Sequence, residues 1–417
     1  RERGREKKDA RKRDEGRKER PPGHPLQKHK ANHTVTARMT MAGKLFWIAL
    51  GMFSAFSGGV QAQSDTLRVL FAGDIMQHEA QLVSAQRDSA QYDYSECFRY
   101  IAPEVRAADL AIANLETPVG APPYSGYPRF SAPAAFARAI REAGFDLLVT
   151  ANNHSLDRYK RGIVRTVEVL DSLGVPHTGV FLDSIQRKER HPLFFHYRDF
   201  RFALLNYTYG TNGIPDSPPV EVSRIDTAQI AQDLAVARAG KPDFVIVCVH
   251  WGREYEMLPE PSQKDLAQFF FDRGADLVIG SHPHVVQPMH AYRDSTGRIE
   301  RVVVYSLGNY LSNQRTIDTQ GGSTLTVTLV RERGGKPHVA ECTYSLVWMW
   351  KPVQEGRQRF YIVPVQAAQR GDFPLSQADR DRLDAFARRA RACLDGNNTG
   401  IREYRPEDTA GKSDISE

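Results

Sequence analysis

The chain has 417 residues, 41% of them hydrophobic and 25% charged. That is enough apolar material for one large α/β domain with additions, or for two domains. The formal net charge of +6 is uneven: residues 1–38 hold 14 Lys/Arg against 6 Asp/Glu, whereas residues 63–417 hold 41 against 44, so the basic balance belongs to the head and nucleic-acid binding is not expected.

In chain order, residues 1–38 show no apolar periodicity and are expected to be disordered and absent from the mature protein, with translation starting at Met39 or Met41. Residues 39–62 read as a signal peptide. Lys44 is its positive region, Leu45 to Phe56 its apolar run, and Val60 and Ala62 place cleavage before Gln63. The run is too short for a comfortable membrane span, and an uncleaved anchor is the lesser alternative. No Cys follows the run, so a lipid anchor is not expected. The expected location is the periplasm or cell surface.

The main domain is expected at 63–372. Apolar runs predict strands at Leu67–Phe71, Ala108–Ala113, Phe145–Thr150, Phe244–Val249, Leu277–Ile279 and Val302–Tyr305. Helical patterns lie between them at Ala134–Ala143, Gly162–Leu173, Thr227–Ala239 and Gln263–Arg273, each stopping at or just before a glycine. Near-continuously apolar strands separated by helices predict a sheet covered on both faces. Further strands are expected at Ser323–Arg331, Val339–Val347 and Phe360–Val365. Residues 373–417 are set apart as a helix, Ser376–Leu394, and a frayed tail from Arg402. Cys97, Cys248, Cys342 and Cys393 form no zinc pattern, and Cys248 sits in an apolar strand run.

Metal-ligand residue types recur at the ends of these strands. Asp74 follows the first and Glu116 the second. Asn153 and His154 follow the third, His250 the fourth, and His282 and His284 the fifth. The C-terminal edge of an α/β sheet is where ligands bind, and this mixture of oxygen and imidazole donors suits divalent Mn, Fe or Zn. The His-x-His spacing is expected to be extended, so that both rings point the same way. Each residue alone has an ordinary alternative: a helix cap for Asp74, a core histidine for His250, turn residues for Asn153 and His154. Tyr209, Asn212, Arg253 and Asn309 are candidates for substrate or outer contacts.

The blocks Gly73-Asp74, Asn114-Leu115-Glu116, Asn152-Asn153-His154, His250-Trp251-Gly252 and His282-Pro283-His284 resemble the CapA-type poly-γ-glutamate capsule-synthesis family, a branch of the calcineurin-like metallophosphoesterases. Tyr207 to Gly213 and Ser306 to Asn309 extend the resemblance over about residues 66–313. The resemblance implies a four-layer α/β/β/α sandwich with two divalent metal ions (Mn, Fe or Zn). Asp74, Glu116, Asn153, His250, His282 and His284 are the implied ligands, and His154 the implied catalytic residue beside the leaving group. The wider superfamily has Asp-x-His in its first block. Here Met76 holds that position, with His78 nearby as a possible substitute ligand, and Glu116 stands where an aspartate is usual. The implied role is synthesis, anchoring or release of an anionic envelope polymer by metal-assisted hydrolysis or transfer, beside membrane-associated capsule machinery. The rivals are a general periplasmic phosphoesterase on small phosphate esters and a non-catalytic polymer-binding protein.

Overall fold

The structure is a computed structural model and is described here for residues 65–405. The expected basic head and signal segment, and residues 406–417, lie outside the described residues.

Two sets of parallel strands carry the fold. In the first, Asp65–Ile75, Leu110–Leu115, Leu147–Val149 and His177–Thr178 lie side by side in that order. In the second, Phe200–Thr208 pairs with Phe244–His250, which pairs with Leu277–Ser281, which pairs with Ile299–Val304, all parallel. Two long antiparallel strands connect the sets. Gly321–Arg331 runs against Asp65–Ile75, and its partner His338–Trp350 meets the second set at the Ile299–Val339 pair.

The two-residue period of a strand then sorts side chains into layers. Val69, Phe71, Ile112 and Val149 of the first sheet share one core with Leu204, Ile246, Cys248 and Ile279 of the second. The alternate residues Leu70, Ala72, Ala111 and Leu148 pack under Val105, Phe136, Ile140 and Leu170 of the helices Ala102–Ala107, Ala134–Ala143 and Tyr159–Ser172. On the far side, Leu205, Val245, Val247 and Val278 pack under Ile230, Leu234 and Phe270 of Thr227–Ala239 and Pro261–Asp272. The result is the expected four-layer α/β/β/α sandwich. Helix ends follow local chemistry: Asp226 accepts from the N–H groups of Ala228 and Gln229, and Gly144 closes its helix at φ +117°.

Three differences from the sequence reading stand out. The helix Gln377–Asn397, set apart at residue 373, buries Leu383, Phe386, Ala387 and Leu394 in the same inter-sheet core as Trp348 and Trp350. Arg402–Glu403, expected to fray, pairs with Thr343–Tyr344, and Glu403 binds Arg391 at 2.8 Å. The hairpin Leu193–Tyr197 with Phe200–Thr208 was not anticipated. Arg198 and Asp199 interrupt its apolar run. All four cysteines are buried and unpaired. Among the described residues no helix is long and apolar enough to cross a membrane.

Candidate metal centre

Parallel pairing brings strand ends to one edge, and here two sheets present their edges to each other. Asp74 lies near the end of Asp65–Ile75, Glu116 follows Leu110–Leu115, and Asn152 to His154 follow Leu147–Val149. From the second sheet, His250 ends its strand, and His282 and His284 follow Leu277–Ser281. Asn309 bridges to Asp74 in parallel register. A Cβ on Gly73 would lie 2.0 Å from the carbonyl oxygen of Gly308, so glycine is what lets the segments bearing Asp74 and Asn309 close together.

The contacts are short and buried. Asp74 Oδ1 accepts from Asn114 Nδ2 at 2.8 Å, and its Oδ2 lies 3.2 Å from His284 Nδ1. The N–H of His282 also donates to Oδ2, at 3.3 Å. His250 Nε2 lies 2.9 Å from Asn153 Oδ1 and 3.5 Å from Glu116 Oε1, while its Nδ1 faces Ser281 Oγ at 3.2 Å. His284 Nε2 lies 3.8 Å from Glu116 Oε1, and Asn309 Oδ1 lies 3.1 Å from His284 Nδ1. Both Glu116 oxygens and His282 Nδ1 are buried without a hydrogen-bond partner. Orphaned buried donors and acceptors of this kind are costly. A cation among them would satisfy them, so this side-chain set fits divalent metal.

Ligand atoms fall into three groups, each with its members within 4.8 Å of one another: Glu116, His250 and His282; Asp74, Glu116 and His284; and Glu254, His282 and His284. Burial pushes the Glu116 carboxyl well above its ordinary value, and the Asp74 charge beside it adds to the rise. For Asp74 burial acts upward too, but hydrogen bonds from His284 and Asn114 and the charge of His284 outweigh it and leave the carboxyl lowered. Burial also lowers His250 and His282 well below the ordinary imidazole value, helped by their histidine neighbours. Neutral imidazoles are the form that binds metal.

The profile of the family described as "Bacterial capsule synthesis protein PGA_cap" matches residues 68–314. The chain belongs to that family. Among the relatives of this PGA_cap chain, the capsule biosynthesis protein CapA of Bacillus anthracis is 28% identical over 65% of this chain and 66% of its own length. The PGA biosynthesis protein CapA of Bacillus subtilis is 25% identical over 74% of this chain and 80% of its own. A probable polyglutamine synthesis accessory protein of Mycobacterium tuberculosis is 27% identical, and the matched stretch spans 51% of this chain and 58% of that one. Among solved structures, the NAD nucleotidase of Haemophilus influenzae aligns over 84% of this chain and 60% of its own at 9% identity and TM-score 0.40. The 5'-nucleotidase of Candida albicans aligns over 62% and 47% at 12% identity and TM-score 0.35.

The structure brings Asp74, Glu116, Asn153, His250, His282 and His284 of the PGA_cap chain into one cluster. The expected extended His-x-His segment is corrected: His282 has φ +100° and His284 φ +60°. The rings converge, with centroids 5.9 Å apart, because the backbone turns into the left-handed region rather than because a strand alternates. Non-glycine residues held there carry strain that packing must offset. His154 faces Asp157 Oδ2 through Nδ1 at 2.8 Å, and Phe130 packs edge-on against its ring. His78 is outside the three donor groups; its Nδ1 accepts from the Asn313 N–H. Burial lowers the His78 imidazole to about 4. Tyr209 lies over His282 at 4.5 Å between ring centroids. Asn212, at φ +52°, accepts from Asn153 Nδ2. Asn309 stays in the cluster, whereas Arg253 is exposed and pairs with Glu260.

Sequence reasoning did not single out Glu254, Asn114, Ser281 or Asn206. Asn206 Oδ1 accepts from the N–H groups of Thr150 and Ala151 at 3.0 and 2.7 Å, and its Nδ2 donates to the Cys248 carbonyl. It thereby ties the loop bearing Asn153 and His154 to the strand bearing His250. No motif spacing marks it; the signal is only a polar residue inside the apolar run Phe202–Tyr207.

Proposed function

We propose that this PGA_cap chain is an exported, metal-dependent protein that hydrolyses or transfers a link in an anionic cell-envelope polymer during capsule synthesis, anchoring or release. The polymer is motivated by the chain's relatives, a capsule biosynthesis and a PGA biosynthesis protein. The observation that carries the metal reading is that two donor groups share Glu116, whose oxygens have no other partner. Asp74, Glu116, Asn153, His250, His282 and His284 would hold two divalent cations of the Mn, Fe or Zn class, with Glu116 common to both. Bound there, the cations supply Lewis acidity at a phosphoryl, ester or amide oxygen.

The chain's own groups do the rest. Asp157 accepts the hydrogen bond of His154 Nδ1–H, which leaves Nε2 as the nitrogen that exchanges a proton with the leaving group. Phe130 fixes the other face of the ring. Ser281 orients His250, and Asn309 orients His284. Tyr209 supplies a rim beside His282.

The test is metal content of the purified protein after equilibration with manganese or zinc, followed by turnover of a bis-aryl phosphate and of poly-γ-glutamate. His154→Ala should keep its metal and lose about 10²–10⁴ in kcat. Full loading with no turnover of either substrate would sink the enzyme reading and leave polymer binding. Mass measurement of the secreted protein should find Gln63 at its N-terminus.

A further inference from the structure

A cavity of about 670 Å³ opens beside the metal centre, and its wall includes His78, Val83, Tyr127, Asn313, Arg315 and Arg357. Two physical links join it to the cluster. The Phe130 ring touches His154, His78 and Tyr127, at centroid separations of 4.6, 5.4 and 6.2 Å. The segment from Asn309 to Arg315 forms the second: Asn309 contacts His284, its Nδ2 donates to Gln314 at 3.0 Å, and Asn313 donates to His78.

Two arginines and one glutamate, Glu79, stand on this wall. Asp318, the acid nearest Arg315 in sequence, is committed to Arg389, Glu355 beside Arg357 is exposed and lies 3.9 Å from Arg359, and Arg357 Nη1 donates to the Gln86 carbonyl at 3.3 Å. The lining acid Glu79 is engaged by the Gly126 N–H at 2.9 Å. Lys351 stands behind Arg315 and donates to the Gln314 carbonyl at 2.8 Å. Burial, then the charges of Arg315 and Arg382, push its ammonium down to about 8. Cations that outnumber the carboxylates around them attract anions. A guanidinium fork matches a carboxylate with two parallel hydrogen bonds. The exposed Tyr127 and Val83 add apolar surface for the stem of a chain.

We infer that this cavity is a subsite for a linear polycarboxylate, in which Arg315 and Arg357 hold side-chain carboxylates of the polymer whose reacting link lies at the metal centre. The inference rests on the polymer reading above and names where the rest of the chain goes.

The experiment is fluorescence anisotropy of a fluorescein-labelled oligo-γ-glutamate with the metal-loaded full chain at low ionic strength. Neutral oligo-γ-glutamine and inorganic polyphosphate serve as competitors. The Arg315→Gln, Arg357→Gln double variant should bind the oligoglutamate about tenfold more weakly or worse. Lysine at both positions should recover part of the loss. Both side chains are exposed, so unfolding curves of the variants should match the parent. Unchanged affinity in the glutamine variant would overturn the subsite. Competition by the neutral chain, or by polyphosphate far better than by unlabelled oligoglutamate, would overturn its polycarboxylate chemistry. Asp74→Asn separates the two readings. If it binds the oligomer normally while the arginine variant does not, the subsite stands even where the metal mechanism fails.

Discussion

Two buried clusters of histidine and carboxylate lie in this molecule, and they are built in opposite ways. Around Asp233, Arg187 Nη2 donates at 2.7 Å and the Tyr207 hydroxyl at 2.9 Å, with His191 Nδ1 3.4 Å away. Burial would raise this carboxyl, but His191 and Arg187 together hold it well below its ordinary value. At the metal centre the same residue types meet without an arginine, and Glu116 is left with two unpartnered oxygens. In the first cluster the carboxylate is satisfied by its own side chains, and only the His191 Nδ1 beside it lacks a hydrogen bond. The other is satisfied only when something else arrives, and that difference separates a structural network from a binding site.

The comparison can be broken most severely at Asp233. Asp233→Ala leaves the part-buried Arg187 with only Glu221, 3.9 Å away, and takes the acceptor from the buried Tyr207 hydroxyl, and should cost about 3 kcal/mol in urea unfolding. A loss below about 1 kcal/mol would mean the network is not a structural one. Its pH behaviour follows from the sign of the shift. The folded carboxyl lies below the ordinary value of 3.8, so its stabilisation is present above about pH 4 and disappears as pH falls further.

The bridge between the two regions comes next. His191 Nε2 accepts from the Asn206 N–H at 3.1 Å, so the structural network supports the residue that ties down the Asn153 loop. Asn206→Ala leaves the Ala151 N–H unpaired, whereas the Thr150 N–H keeps the Thr178 carbonyl, and should cost about 1–3 kcal/mol. It should also weaken metal affinity, measured by titration calorimetry. Gly179→Ala should do the same, since its Cβ would stand 2.2 Å from Asn206 Oδ1 at a φ of +122°. Retained metal affinity in both variants would remove Asn206 from any positioning role.

The smallest effect has the opposite sign. In metal-free protein the folded Glu116 carboxyl lies well above its ordinary value of 4.5. Its stabilisation is therefore full below about pH 4.5 and lost as pH rises. Glu116→Gln should stabilise metal-free protein at pH 8 by roughly 1 kcal/mol, about 2 °C in Tm. Saturating manganese or zinc should raise the wild-type Tm, by about 2.7 kcal/mol at a hundred times Kd, and leave the variant nearly unmoved. Equal metal-dependent gains in the two proteins would show that Glu116 is not a ligand.

Local order in the chain carries the alternation of strands and helices and the residue types at the strand ends. Apolar runs such as Phe244 to Val249 and Leu277 to Ile279 can only be strands buried on both faces, and each ends in polar residues that cannot stay in the core. Six donor-type residues and the nearby His154 were therefore legible as polar strand ends, and their roles came from the family resemblance. Tertiary structure decided what has no local signature. It placed Asn206 between two sheets, turned His282 and His284 into positive φ, took Arg253 out to Glu260, and folded the C-terminal helix into the core. These depend on which distant segments meet, and neither periodicity nor motif spacing encodes a contact between residues such as Ala151 and Asn206, fifty-five positions apart.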